Sequence, residues 1–167
     1  MQSIYMKTPQ NTTPNIQKKL GLSVELYLKR EDLHPYGSHK GRSMPGMIAH
    51  ALEDGWQSFV ISSSGNAAIA AAHAVLAHNT SGAKPITLTV FVGQNINEKK
   101  YDILKKMTND SIHIEKTDRP MQAANQWMRA KNAYNLRQSI DDSALIGYKE
   151  LAEEIQKINN LSHIFIP

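Results

Sequence analysis

No cysteine occurs among the 167 residues. Disulfides, thiolate metal sites and cysteine nucleophiles are excluded together, and a reducing compartment is compatible. Apolar runs long enough to span a bilayer are missing too. The most apolar stretch, Ala67 to Ala77, is short, alanine-rich and interrupted by His73. Met1 to Asn15 does not join basic residues to an apolar core, so no secretory leader is read there. A soluble, cytoplasmic protein is expected. Basic runs are also lacking: 19 Lys and Arg stand against 15 Asp and Glu, for a net charge of +4, and they are scattered. A solvated surface explains that pattern better than a nucleic-acid patch, although a small anionic ligand is compatible. No low-complexity block appears, and 41% hydrophobic residues suffice for a packed core, which excludes global disorder. The length suits one domain or one and a half, hiding roughly two-thirds of the unfolded surface.

Helical and strand patterns alternate along what is present. Val24 to Lys29 is β-rich. Ser43 to Glu53 has helical spacing through Met44, Met47, Ile48, Ala51 and Leu52, closed by Asp54-Gly55, with Pro45 expected in the first turn, where a missing N–H costs little. Ser58 to Ser62 reads as a buried strand, and Ala67 to His78 as an alanine-driven helix. Ile86 to Val92 is apolar and β-branched on both faces, as a covered parallel strand should be. Glu98 to Met107 and Met121 to Ala133 read as helices around a strand at Ser111 to Glu115. Asp141 to Asn159 reads as one long helix with Leu145, Tyr148, Leu151, Ile155 and Ile158 on a stripe, and Ser162 to Pro167 as a last strand. Strands separated by single helices imply βαβ units: an α/β fold with a doubly wound parallel sheet. An apolar strand as the last element, with no crossover behind it, gives the chain the look of one that stops early.

Two segments carry chemistry. In Lys29-Arg-Glu-Asp-Leu-His-Pro-Tyr-Gly-Ser-His-Lys-Gly-Arg42, Pro35 and Gly37 make a turn and Ser38-His39-Lys40 enters a helix. A first-turn lysine lies at the positive end of a helix macrodipole, and a neutral amine is the form that attacks a carbonyl. The ordinary alternative is a solvated surface lysine. In Ile61-Ser-Ser-Ser-Gly-Asn66, small residues follow a strand and precede a helix. Backbone N–H groups at such a helix start form a ready anion site, whereas Ser64 or Asn66 could equally serve as a plain N-cap.

In order and separation, KREDLHPYGSHKGR and SSSGN resemble the fold-type II pyridoxal-phosphate enzymes, the tryptophan synthase β-subunit-like superfamily with its threonine synthases, dehydratases and cysteine synthases. Thr13-Pro14, Gly147-Tyr148 followed by LAEEI, and the closing HIFIP extend the likeness over about residues 12 to 167. His39 and Gly41 depart from the residues most branches carry beside the lysine. The resemblance implies a flavodoxin-like small domain over residues 42–160, with 1–41 and a returning strand at 161–167 belonging to a larger domain. It implies pyridoxal 5'-phosphate as cofactor. Lys40 would condense with the cofactor aldehyde and move the substrate α-proton. Asn66 would hydrogen-bond the cofactor 3-hydroxyl, and Ser63, Ser64, Gly65 and Asn66 would form the substrate-binding loop. Elimination or replacement on a small hydroxy- or phosphohydroxy-amino acid is the expected reaction, with lyase or transferase outcome. The phosphate loop belongs, by the same likeness, to a segment after Pro167, so the chain alone is expected to turn over little. A homodimer or a complementing C-terminal half is an expected partner; nucleic acid and membrane are not.

Other features read as structural. His34 and His39, like His73 and His78, are five apart rather than three or four, so no metal site is favoured. His113 reads as core-edge packing, Asp141-Asp142 beside Ser143 as helix capping, and Trp127, Tyr134 and Tyr148 as core. The rival to the enzyme is a non-catalytic α/β module that binds a partner or a small anion.

Overall fold

The computed structural model describes residues 6–166. A two-stranded antiparallel ribbon comes first: β1 (Gln10–Thr12) pairs with β2 (Tyr27–Lys29) around α1 (Pro14–Lys19). The Val24 to Lys29 expectation thus shrinks to three residues, the length over which β1 supplies a partner. After a 3-10 turn at Glu31–Leu33 comes α2 (Lys40–Glu53), then β3 (Ser58–Ser62), α3 (Asn66–Thr80), β4 (Thr87–Gly93), α4 (Glu98–Lys106), β5 (Ile112–Thr117) and α5 (Pro120–Lys131). The two-residue β6 (Tyr134–Asn135), a 3-10 turn at Asp142–Leu145 and α6 (Ile146–Ile155) follow.

The main sheet is parallel throughout, in the order β5-β4-β3-β6. Alternation along its central strands feeds two cores. Phe59 and Ile61 of β3, with Leu88, Val90 and Val92 of β4, pack under α2, α3 and α4 through Met44, Met47, Ile48, Val75 and Leu104. Val60 and Phe91 face the other way, onto Ala124 and Trp127 of α5. Phe91 and Trp127 meet edge to face at 5.8 Å. Both faces are covered, as the apolar runs of β3 and β4 require. No described helix is long and apolar enough to cross a membrane.

Four expectations need correction. Helix α2 starts at Lys40, so Pro45 lies inside it rather than in its first turn. The long helix at 141–159 is broken: Asp141 Oδ1 accepts from Ser143 N at 3.0 Å and caps a 3-10 turn, and α6 begins only at Ile146. Residues 161–166 form no strand; Ile164, Phe165 and Ile166 are exposed, and no described strand lies beside them to complete a ladder. Pro167 lies outside the described residues, as do positions 1–5 of the expected N-terminal segment. His113 is exposed on β5 rather than packed at the core edge.

Candidate active site

The sheet changes direction between β3 and β6: β4 and β5 step away on one side of β3, and β6 returns to the other. Ligands of open α/β sheets sit at the carboxyl ends of the strands beside such a reversal. The loop Ser63–Gly65 stands there, between β3 and α3. Ser63 N donates to the Phe91 carbonyl at 3.2 Å, tying the loop to β4, and Gly65 N donates to Ser63 Oγ at 3.3 Å. Gly65, not Ser64 or Asn66, takes the N-cap position of α3, and no side chain caps the helix. The capping alternative is therefore not what these residues do. Ser64 and Asn66 are exposed, Ser63 and Gly65 half-buried. Lys100 of α4 brings Nζ to 3.7 Å from where a Gly65 Cβ would stand.

Lys40 opens α2. The turn before it is set locally: Tyr36 N donates to His34 Nδ1 at 3.0 Å, Gly37 N to the His34 carbonyl at 2.7 Å, and Gly37 has the positive φ of 77° that glycine tolerates. Lys40 is half-buried, and its side chain makes no hydrogen bond or ion pair among the described residues. One turn later Ser43 Oγ lies 3.3 Å from both the Lys40 carbonyl and the Tyr148 hydroxyl, and accepts from Gln138 Nε2. Gln138 lies three residues past Asn135, and Ser63 three past Val60, the last pair in register between β6 and β3. Gln138, in the turn that follows β6, thus ties the start of α2 to the segment leaving the sheet beside β3. No hydrogen bond joins Lys40 directly to residues 63–66. Burial, reinforced by the neighbouring Lys40 charge, holds the His39 imidazole below its ordinary range, and its ring tilts against Tyr148 at 6.2 Å.

Comparison with known proteins now bears on this arrangement. The family model described as pyridoxal-phosphate dependent enzyme matches residues 1–167. The chain belongs to that family. A stretch of 65 residues, 39% of the chain, is 38% identical to a threonine synthase of Synechocystis sp. and 42% identical to one of Bacillus sp.. It spans 17% and 18% of those relatives. Among solved structures, a pyridoxal 5'-phosphate-dependent aspartate racemase superposes with TM-score 0.79 at 22% identity, over 93% of this chain and 47% of that one. Threonine deaminase isoform 2 of Solanum lycopersicum gives 0.77 at 20%, over 93% and 42%. Maize serine racemase gives 0.73 at 22%, over 92% and 46%. These likenesses establish the fold, and the chain spans less than half the length of each.

Family likeness and periodicity both missed a buried ionic cluster beside Lys40. Arg42 Nε and Nη2 donate to the two oxygens of Glu31 at 2.8 Å each, Nη1 to Glu154 Oε1 at 2.9 Å, and Nη2 to Thr8 Oγ1 at 3.0 Å. Thr8 Oγ1 donates to Glu31 at 2.6 Å, and Lys29 Nζ bonds Glu154 and the Thr8 carbonyl. The Arg42 and Glu154 side chains are only 2% and 1% exposed. Burial pushes the Glu31 and Glu154 carboxyls up, but hydrogen bonds from Arg42, with Thr8 on Glu31 and Lys29 on Glu154, outweigh it and hold both below the usual range. Burial likewise opposes the Arg42 charge, and the two glutamates overcome it. Glu154 is separated from Arg42 by 112 positions, so no local pattern could have signalled the pair.

A cavity of about 520 Å³ contains neither Lys40 nor residues 63–66. Its walls include His34, Tyr36, Ala49, Ala74 and Ile146, on another face of α2. The chemistry of the edge, not the volume of that cavity, marks the candidate site.

Proposed function

We propose that the chain supplies the lysine and the carboxylate-binding loop of a threonine synthase- or dehydratase-like enzyme. Its substrate is a small hydroxy- or phosphohydroxy-amino acid, transformed by elimination or replacement. The observation that carries this reading is a half-buried lysine, without a side-chain partner among the described residues, that opens α2, together with an uncapped serine–glycine loop that opens α3 at the carboxyl edge of the sheet. The donor set suits pyridoxal phosphate: an amine with no carboxylate partner among the described residues, and hydroxyls and backbone N–H groups with few internal acceptors. Bound pyridoxal phosphate supplies an aldehyde for an amine and a ring that delocalises electrons released at a substrate α-carbon.

The rest falls to protein groups. Lys40 Nζ holds the cofactor and then takes the substrate α-proton. Asn66 donates to the cofactor 3-hydroxyl. Ser63, Ser64 and Gly65, at the positive end of α3, orient the substrate carboxylate. The identity to two threonine synthases supports that branch over the racemases among the structural relatives. A cytoplasmic setting belongs to the same reading, supported by the missing cysteines. So does a second copy or a complementing half as partner, supported by the exposed Ile164, Phe165 and Ile166.

Incubation with pyridoxal phosphate, borohydride reduction and peptide mapping tests this. Lys40 should carry the label well above the exposed Lys99 and Lys105, and Lys40→Ala should leave only background. Equal labelling of all three lysines would remove the enzymatic reading.

A further inference from the structure

We propose that Arg42 is a positioning residue for Lys40, clamping the first turn of α2 between the N-terminal segment and α6 through its buried cluster; this rests on the reading of Lys40 above. The helix holds its own start weakly. His39, in its N-cap position, provides no side-chain cap; Lys40 N donates to Ser38 Oγ over a long 3.3 Å, and Gly41 N and Arg42 N make the short-range turn bonds to the Ser38 and His39 carbonyls at 3.0 and 3.1 Å. Pro45 has no N–H for the Gly41 carbonyl, so the ladder loses a bond within the turn that follows Lys40.

Tertiary contacts replace what the ladder lacks, and they fall on three consecutive residues. Gly41 lies under the turn before the helix; a Cβ there would stand 2.2 Å from His34 Cε1 and 2.9 Å from Tyr36 Cβ. Arg42 is bonded to the N-terminal segment through Thr8 and Glu31, and to α6 through Glu154. Its carbonyl packs against Gly147, where a Cβ would stand 1.8 Å from the oxygen. Ser43 is held by Gln138 and Tyr148. Of these three residues, only Arg42 is bonded to both the N-terminal segment and α6, and it is so with charge-assisted bonds in a rigid fork.

Lys40 is the next residue toward the N-terminus. Its backbone is fixed from one side while its amine has no partner among the described residues. That is the combination a reacting group needs, since a small displacement of a positioned group weakens the chemistry sharply. Arg42 also bonds the buried Glu154 and the half-buried Glu31, which leaves neither to pair with Lys40.

Hydrogen exchange and reductive labelling on the full chain test the clamp together. In Arg42→Met, amides 40–44 should exchange at least about tenfold faster, the equivalent of losing one charge-assisted bond, while amides of α3 and β4 keep their rates. Labelling of Lys40 by pyridoxal phosphate should fall to the level of Lys99 and Lys105. Arg42→Lys should fall between the wild type and Arg42→Met in both readouts, and Glu154→Asp should recover part of what Glu154→Gln loses. Unchanged exchange at 40–44 in a folded variant overturns the proposal. Acceleration spread evenly over α3 and β4 also overturns it, since that is general destabilisation. If Arg42→Met does not fold, Arg42→Lys and Glu154→Gln carry the same comparison. Should wild-type Lys40 show no preferential labelling, the functional reading fails, and the exchange rates alone then decide the clamp.

Discussion

At the scale of single residues, the tightest requirement in the chain is Gly147. A methyl group there would meet the Arg42 carbonyl at 1.8 Å and its carbon at 2.4 Å, both backbone atoms that cannot rotate aside. Gly147→Ala must push α6 away from α2 and stretch the Arg42–Glu154 bond with it. The expected cost is about 1–3 kcal/mol or more, read as a fall in the urea midpoint at unchanged slope. An unaltered midpoint would show that the two helices do not cross so closely. The sequence marked Gly147 only by family likeness. Nothing local distinguishes a glycine under a carbonyl from one in a turn, because the partner lies more than a hundred residues away. Glu154 was hidden for the same reason: a stripe of Tyr148, Leu151 and Ile155 predicts an apolar inner face, yet the buried residue of α6 is the glutamate, drawn in by Arg42.

Among the elements, α2 is where the expected and observed structures diverge with most consequence. Its inner face of Met44, Met47, Ile48 and Ala51 was plain from spacing and is fully buried. The entry of Ser38-His39-Lys40 into a helix was legible too and α2 does begin at Lys40; what failed is the placing of Pro45 in the first turn, the cheapest local arrangement, which tertiary contacts at Gly41, Arg42 and Ser43 override. Pro45→Ala restores an N–H to the Gly41 carbonyl, so stability should rise by about 1–2 kcal/mol after some loss of chain-entropy benefit and apolar contact. Thermal unfolding checks it; a lower midpoint would mean that the ring's packing outweighs the missing bond. Strands β3 and β4 were legible because a strand covered on both faces is apolar throughout, and the serine loop was legible because it sits between β3 and α3. Two-residue β6 has no period to read; it exists because Leu136 N reaches the Val60 carbonyl at 2.9 Å. Residues 161–166 show the converse, a β-like composition with no described partner to complete it.

For the whole molecule, titration ties these local features to one measurable curve. Burial holds the imidazoles of His34, His39 and His73 below their ordinary value of 6.5. The unfolded chain binds those protons more readily, so this contribution is present above about pH 6.5 and is lost as pH falls. Glu31, Glu154 and Asp141 are held low despite burial, by Arg42, by Arg42 with Lys29, and by Ser143 with Tyr134 respectively. Their contribution is present above the unfolded carboxylate values near 4 and is lost below them. Burial raises the Tyr36 and Tyr134 phenols above 10.0, so a third contribution is lost only in alkali. All acid-side terms share one sign. The urea midpoint should therefore be flat from about pH 7.5 to 9, decline gently to about pH 5, and fall steeply below about 4. His73 offers the cleanest dissection, because its ring stacks on Tyr36 at 5.0 Å with 7° between the planes and makes no described hydrogen bond. His73→Phe keeps an aromatic stack and removes one titration, so the gentle decline between about pH 7.5 and 5 should become shallower while the steep carboxylate fall stays. Equal slopes in the two proteins over that interval would show that burial of His73 does not couple its proton to folding.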